Sequence, residues 1–98
     1  MRFLVEITVE LPAELRDPRS ERRAELIAAE LERGVELRRA GTIESIWRVP
    51  GQLRNVGVWR AADATELDEA IASLPLASYL RVAVTPLALH PIEREVAG

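Results

Sequence analysis

Residues 2–11, Arg2-Phe3-Leu4-Val5-Glu6-Ile7-Thr8-Val9-Glu10-Leu11, alternate in character. Phe3, Val5, Ile7, Val9 and Leu11 share one face, while Arg2, Glu6, Thr8 and Glu10 share the other with Leu4. A period of two places successive side chains on opposite sides of an extended chain, so the stretch reads as a strand with one well-buried face. Pro12 ends it. A strand of this kind needs neighbours at its edges and a cover over its apolar face, and the rest of the chain is read for both.

Asp17-Pro18 reads as an N-cap followed by a first-turn proline. A long helix then runs to about Ala40, with Gly41 as its stop. At helical spacing Ala24, Ile27, Ala28, Leu31, Gly34, Val35 and Leu37 fall on one broad apolar face, with Glu25, Glu32 and Glu36 opposite. Residues 42–49 read as a second strand, with Ile43 and Trp47 on one face and Ile46 and Arg48 on the other. Pro50-Gly51 is a turn signal, and residues 54–61 complete a hairpin. Asp63 and Glu66 resemble a capping box opening a second helix, whose buried stripe is Leu67, Ala70, Ile71 and Leu74. Pro75 closes that helix. A fourth strand follows at 79–85, and Pro86 places its end at a sheet edge, where a missing N–H costs no ladder bond.

The order β-α-β-β-α-β predicts an α+β, ferredoxin-like fold: a four-stranded antiparallel sheet with two helices on one face. One domain spans residues 1–91, and residues 92–98 form a polar C-terminal tail, expected to be loose or ordered by a partner. Two helices cover one sheet face only. The other face is apolar enough that a second subunit is expected to cover it.

Composition narrows the function. The 98-residue chain contains no cysteine, which excludes disulfides, thiolate metal sites and cysteine nucleophiles. With one histidine, a His-rich metal site is not expected. All 13 basic side chains are arginine, so no lysine can form a Schiff base. A net charge of -3 lacks the basic excess that binds nucleic-acid backbones. No apolar run approaches the ~20 residues that span a bilayer, and the alternating start is no signal peptide. These features suit a cytoplasmic protein with no nucleic-acid partner and no membrane partner.

Glu30 is the most informative polar residue, because it lies inside the apolar arc of the first helix while its neighbouring glutamates lie outside. A carboxylate there loses hydration, which raises its pKa toward the range useful for proton transfer. Arg23, two turns earlier, lies on the same side and could offset that rise. The alternative is a stripe-margin glutamate paired with an arginine. Arg48, beside Trp47, could present its planar fork to a substrate carboxylate, or form a surface pair with Glu44. Asn55 could hydrogen-bond an oxygen that gains charge during reaction, or serve the turn locally. His90 could touch substrate or act as an acid or base, or be solvated or packed at an interface.

Several segments together resemble the muconolactone delta-isomerase family. They are FLVEITVELP at 3–12, ELRRAGT at 36–42, IWRVPG at 46–51, RNVGVW at 54–59, ATELDEAIASLPL at 64–76 and VTPLALHP at 84–91. The resemblance covers residues 1–91. It implies a ferredoxin-like subunit, a homodecamer assembled from dimers, and neither cofactor nor metal. It further implies conversion of (+)-muconolactone to the β-ketoadipate enol-lactone in aromatic catabolism. Glu30 matches a helix glutamate of the family and would carry the proton. Arg48 would bind the substrate carboxylate and Asn55 would face the lactone oxygen, with Trp47, His90 and Arg23 as further substrate-binding candidates. Two other readings stay open: a related isomerase or cyclase acting on another cyclic substrate in secondary metabolism, and a non-catalytic small-molecule-binding module.

Overall fold

The computed structural model describes residues 1–97, so Gly98, the last residue of the expected tail, lies outside the described residues. Four strands and three α-helices follow the expected order: β1 (Arg2–Val9), α1 (Glu21–Arg39), β2 (Ile43–Arg48), β3 (Arg54–Arg60), α2 (Ala64–Ala72), β4 (Leu80–Leu87) and α3 (Pro91–Ala97). The strands form one antiparallel sheet in the order β2-β3-β1-β4. This is the ferredoxin-like arrangement read from the sequence.

β1 lies at the centre of the fold, paired with β3 on one side and β4 on the other. Its apolar residues Phe3, Val5 and Ile7 are buried against Leu37 of α1 and Leu67 and Leu74 of the α2 segment, with Ile43 and Trp59 beside them. Pro86 sits in β4 opposite Phe3, on an edge strand, where its missing donor leaves no ladder bond unmade. The opposite sheet face carries Leu4, Val56, Val58 and Trp47 together with the Glu6–Arg54 ion pair.

Three local expectations are corrected. First, α1 is capped by Ser20, whose Oγ accepts from the backbone N–H of Arg23 at 3.1 Å; Asp17 does not cap it. Asp17 instead accepts from Arg19 N at 2.9 Å and closes a turn before the helix, the usual local bond of a short carboxylate. Gly41 does end the helix, at φ +83, where a side chain would be strained.

Second, β2 does not alternate throughout. A register shift between Ile43 and Ser45 inserts one extra residue, which reverses the faces beyond it. Ile43 pairs with Trp59, Ile46 with Gly57 and Arg48 with Asn55, so all three β2 residues face the helices. Trp47, opposite Val56, faces the other way. Ile43 therefore shares its face with Ile46 and Arg48, and the expected grouping with Trp47 does not hold.

Third, the tail is not loose: Pro91–Ala97 is helical. Proline at the first helical position has its φ preset. His90 Nδ1 accepts from Ile92 N at 3.0 Å, supplying a cap. This helix buries no residue, and Ile92 and Val96 are exposed. The β4 end and α3 extend away from the body. The radius of gyration is accordingly 15.4 Å, against about 13 Å for a compact chain of similar length. Among the described residues no helix is long and apolar enough to cross a membrane.

Candidate active site between the first helix and the sheet

The two helices bury themselves differently. α2 turns Leu67 fully inward and packs Ala70 and Ile71 against the core, as its pattern predicts. In α1 the inward stripe is Arg23, Leu26, Glu30, Arg33 and Leu37, and only Leu37 is fully buried. The expected apolar stripe lies at the margin: Ile27, Leu31 and Val35 are exposed, Leu31 by 69%. Two polar contacts with the segment after α2 hold this rotation. Arg33 Nε donates to Ser73 Oγ at 3.0 Å, and Leu76 N donates to Glu30 Oε1 at 3.0 Å. A helix tied down by polar groups on its inner face leaves a cleft beneath it.

That cleft comprises two adjoining hollows, of about 360 and 500 Å³. Glu30, Leu31, Ile46 and Asn55 line both. The smaller hollow reaches into the core along Ile7, Ile43, Trp59 and Leu74. The larger one opens toward the hairpin, where Trp47, Arg48, Gln52 and Leu53 line it.

Glu30 is partly buried and has one hydrogen-bond donor, the Leu76 amide. Burial pushes its carboxyl above the ordinary glutamate range, and the amide opposes that rise. No arginine contacts it within salt-bridge distance among the described residues. The margin-pair alternative is therefore not what the structure contains.

Asn55 enters the cleft because its register partner Ile7 faces the core. Its Oδ1 is buried without a hydrogen-bond partner among the described residues. Such an orphan typically costs about 1–3 kcal/mol unless something completes it. Arg48 reaches the larger hollow from the end of β2. Glu44, its expected alternative partner, is instead held by Arg2 at 3.0 Å. Trp47 lines the same hollow and is 60% exposed.

Glu30, Arg48 and Asn55 are thus brought together on the helix side of the sheet, and Trp47 borders the larger hollow from a strand position that faces the other side. Arg23 lies on the inner side of α1 but lines neither hollow, and its Nε is buried without a partner. His90 lines a separate hollow with Met1, Arg2 and Arg60. Arg2 pairs with Arg60 at one end of β1 and Ile7 with Asn55 near the other; five residues of strand separate them by roughly 17 Å. Two cleft residues escaped the sequence reading. Trp59 was placed on a strand, but its buried, unpartnered indole N–H could not be foreseen. Arg38 lines the smaller hollow, and the only trace it left was its helical spacing from Leu31. Among the described residues no group of three or more His, Asp or Glu is placed to hold a metal ion.

Comparison with known proteins gives the family and the fold. The family model described as muconolactone delta-isomerase matches residues 1–93. The muconolactone delta-isomerase of Rhodococcus opacus is 38% identical, with 90% of this chain and 91% of that protein covered. The corresponding protein of Pseudomonas putida is 33% identical over 93% of this chain and 92% of its own length. A crystal structure of muconolactone isomerase superposes with a TM-score of 0.81 at 33% identity, covering 93% of this chain and 92% of that one.

Proposed function

The chain belongs to the muconolactone delta-isomerase family and is an intramolecular isomerase, and we propose that it converts (+)-muconolactone to the β-ketoadipate enol-lactone. The reaction moves one proton. Glu30, ionised, takes the proton from the ring γ-carbon. The electron pair of that C–H bond moves into the conjugated system and places negative charge on the lactone carbonyl oxygen. The same carboxyl then returns the proton to the α-carbon, and the double bond is left between the β- and γ-carbons. Nothing else is consumed, so one carboxylate serves both transfers.

The observation that carries this reading is the setting of Glu30: partly desolvated, held by one amide, and shared by both hollows. Desolvation raises its basicity, and the Leu76 N–H fixes one oxygen so that the other can face substrate. Arg48, without an acidic partner among the described residues, takes the carboxymethyl carboxylate at the wider hollow. Asn55 supports the lactone oxygen, and Trp47 flanks the carboxylate end. His90 lies too far away within its own protomer, so it meets substrate only from a neighbouring subunit.

Homo-oligomerisation, in dimers and as a decamer, forms part of the same proposal, as does a cytoplasmic location. It is supported by the apolar residues of the open sheet face and by the exposed Leu89, Ile92 and Val96 of the C-terminal arm. The test is turnover: purified protein should convert muconolactone, and Glu30→Gln should lower kcat by about 10³-fold or more while folding normally. Wild-type protein with no turnover at high concentration sinks the substrate. A Glu30→Gln variant at wild-type rate sinks the proton carrier.

A further inference from the structure

Two arginines, both exposed, border the cleft from opposite ends. Arg48 stands where the larger hollow opens at the hairpin. Arg38 stands in the last turn of α1, beside the start of β2, and lines the smaller hollow. Glu30 and Asn55 lie between them, lining both. Arg38 makes no ion pair within 4.0 Å and no side-chain hydrogen bond among the described residues. The Glu44 carboxyl is held low chiefly by Arg2's hydrogen bond, and Arg38 contributes least to that lowering. The charge is thus available to a ligand.

The two ends differ in surroundings. Arg48 faces the more open hollow, whereas the hollow of Arg38 runs onto the buried side chains Ile7, Ile43, Trp59 and Leu74. A fixed carboxylate tolerates a wet site. Charge that exists only during the reaction is stabilised most where water is excluded and the apparent dielectric is low. In the lactone, the carboxymethyl group and the carbonyl oxygen lie on opposite sides of the ring, and the reacting carbons lie between them. A lactone bound with its carboxylate on Arg48 would have its carbonyl oxygen directed along the cleft, toward the hollow whose rim Arg38 forms.

We propose that Arg38 is a second catalytic cation, stabilising the negative oxygen of the dienolate that forms when Glu30 removes the γ-proton. This rests on the isomerase reading above and adds an oxyanion partner to Asn55. The helix terminus offers a competing explanation, because cations near the last carbonyls of a helix are favourable wherever they point. Arg39 shares that last turn and lines neither hollow, so it separates the two.

Four variants and one probe test the proposal. Arg38→Gln should lower kcat by about 10- to 100-fold with KM changed by less than about threefold, since the stabilised charge is absent from bound substrate. Arg48→Gln should mainly raise KM, and Arg39→Gln should match wild type. Equal losses for Arg38→Gln and Arg39→Gln, or an Arg38→Gln kcat within twofold of wild type, overturn the proposal. The probe is 4-hydroxy-3-nitrophenylacetate, a planar carboxymethyl anion whose opposite oxygen ionises visibly. Its phenol should become more acidic on binding to wild type and to Glu30→Gln, and lose that shift in Arg38→Gln. Failure of wild type to bind it, or a shift that survives in Arg38→Gln, also overturns the proposal. Absence of lactone turnover together with an Arg38-dependent shift would sink the substrate reading and leave the Arg38 anion site standing.

Discussion

α1 and α2 are both amphipathic helices laid on the same sheet face, yet they do different work. α2 is held by apolar burial: Leu67 is 2% exposed, and Leu67, Ala70 and Ile71 face the core as read from the sequence, although the helix ends at Ala72, short of Leu74. α1 is held by Leu37 at one end and by polar tethers from Glu30 and Arg33 to the 73–76 segment, with much of its apolar stripe left at the surface. A helix pressed down by hydrophobic contact closes the space beneath it. A helix held off by polar contacts keeps a cleft open and can place a carboxylate inside it. On the proposed function, stability falls mainly to α2 and chemistry to α1.

That contrast can be broken by mutation. Leu67→Ala should cost about 2–5 kcal/mol in denaturant unfolding, because it empties a packed site. Leu31→Ala, the corresponding deletion on α1, should change stability by less than about 0.5 kcal/mol; a loss comparable to that of Leu67→Ala would mean that the α1 stripe is covered in solution. Gly57→Ala should fall between them, at about 1–3 kcal/mol. A Cβ there would sit 2.8 Å from the Ser45 carbonyl oxygen and 3.3 Å from Trp59 Nε1, so the β2–β3 pairing beneath the cleft must shift.

The smallest expected effect is the pH dependence of Glu30. Burial raises its carboxyl pKa in the folded state. The folded protein therefore binds that proton more tightly than the unfolded chain does. Its contribution is fully present below the ordinary glutamate pKa and is lost as pH rises through the raised folded value. Glu30→Gln should flatten stability over that window and leave Tm at neutral pH equal or slightly higher, since the amide oxygen can still accept from Leu76. A lower Tm at neutral pH, with wild type stabilised by ionisation, would show that the carboxylate is favourably solvated. In the wild type, the activity limb at low pH should follow the same group, with turnover falling as Glu30 protonates.

Much of the fold was legible because it depends on local periodicity. The alternation of β1, the Asp63 capping box and the stripe of α2 each name their own buried face. Glu66 N donates to Asp63 Oδ1 at 2.8 Å, as that pattern requires. Glu30 was also legible as a carboxylate among apolar residues, although the reason for its burial was not. The apolar arc suggested that hydrophobic packing draws Glu30 inward. In the fold the arc lies largely outside, and the Leu76 amide receives the carboxylate across 46 residues of chain. The bulge in β2 was illegible for a related reason: one inserted residue leaves no mark on composition but reverses the faces of Ile46, Trp47 and Arg48 relative to Ile43.

By itself, the sequence determined the element order, the sheet topology it implies, a resemblance to the family, and the absence of thiol and lysine chemistry. Apart from the resemblance, these follow from side-chain period, turn chemistry and residue type, all of which act over a few neighbouring residues. Only the tertiary structure decided which side of α1 faces the sheet, that Arg38 and Arg48 line different hollows of the cleft that Glu30 shares, and that His90 lines neither. Those outcomes depend on strand register and on polar bonds between segments far apart in the chain, where periodicity carries no information.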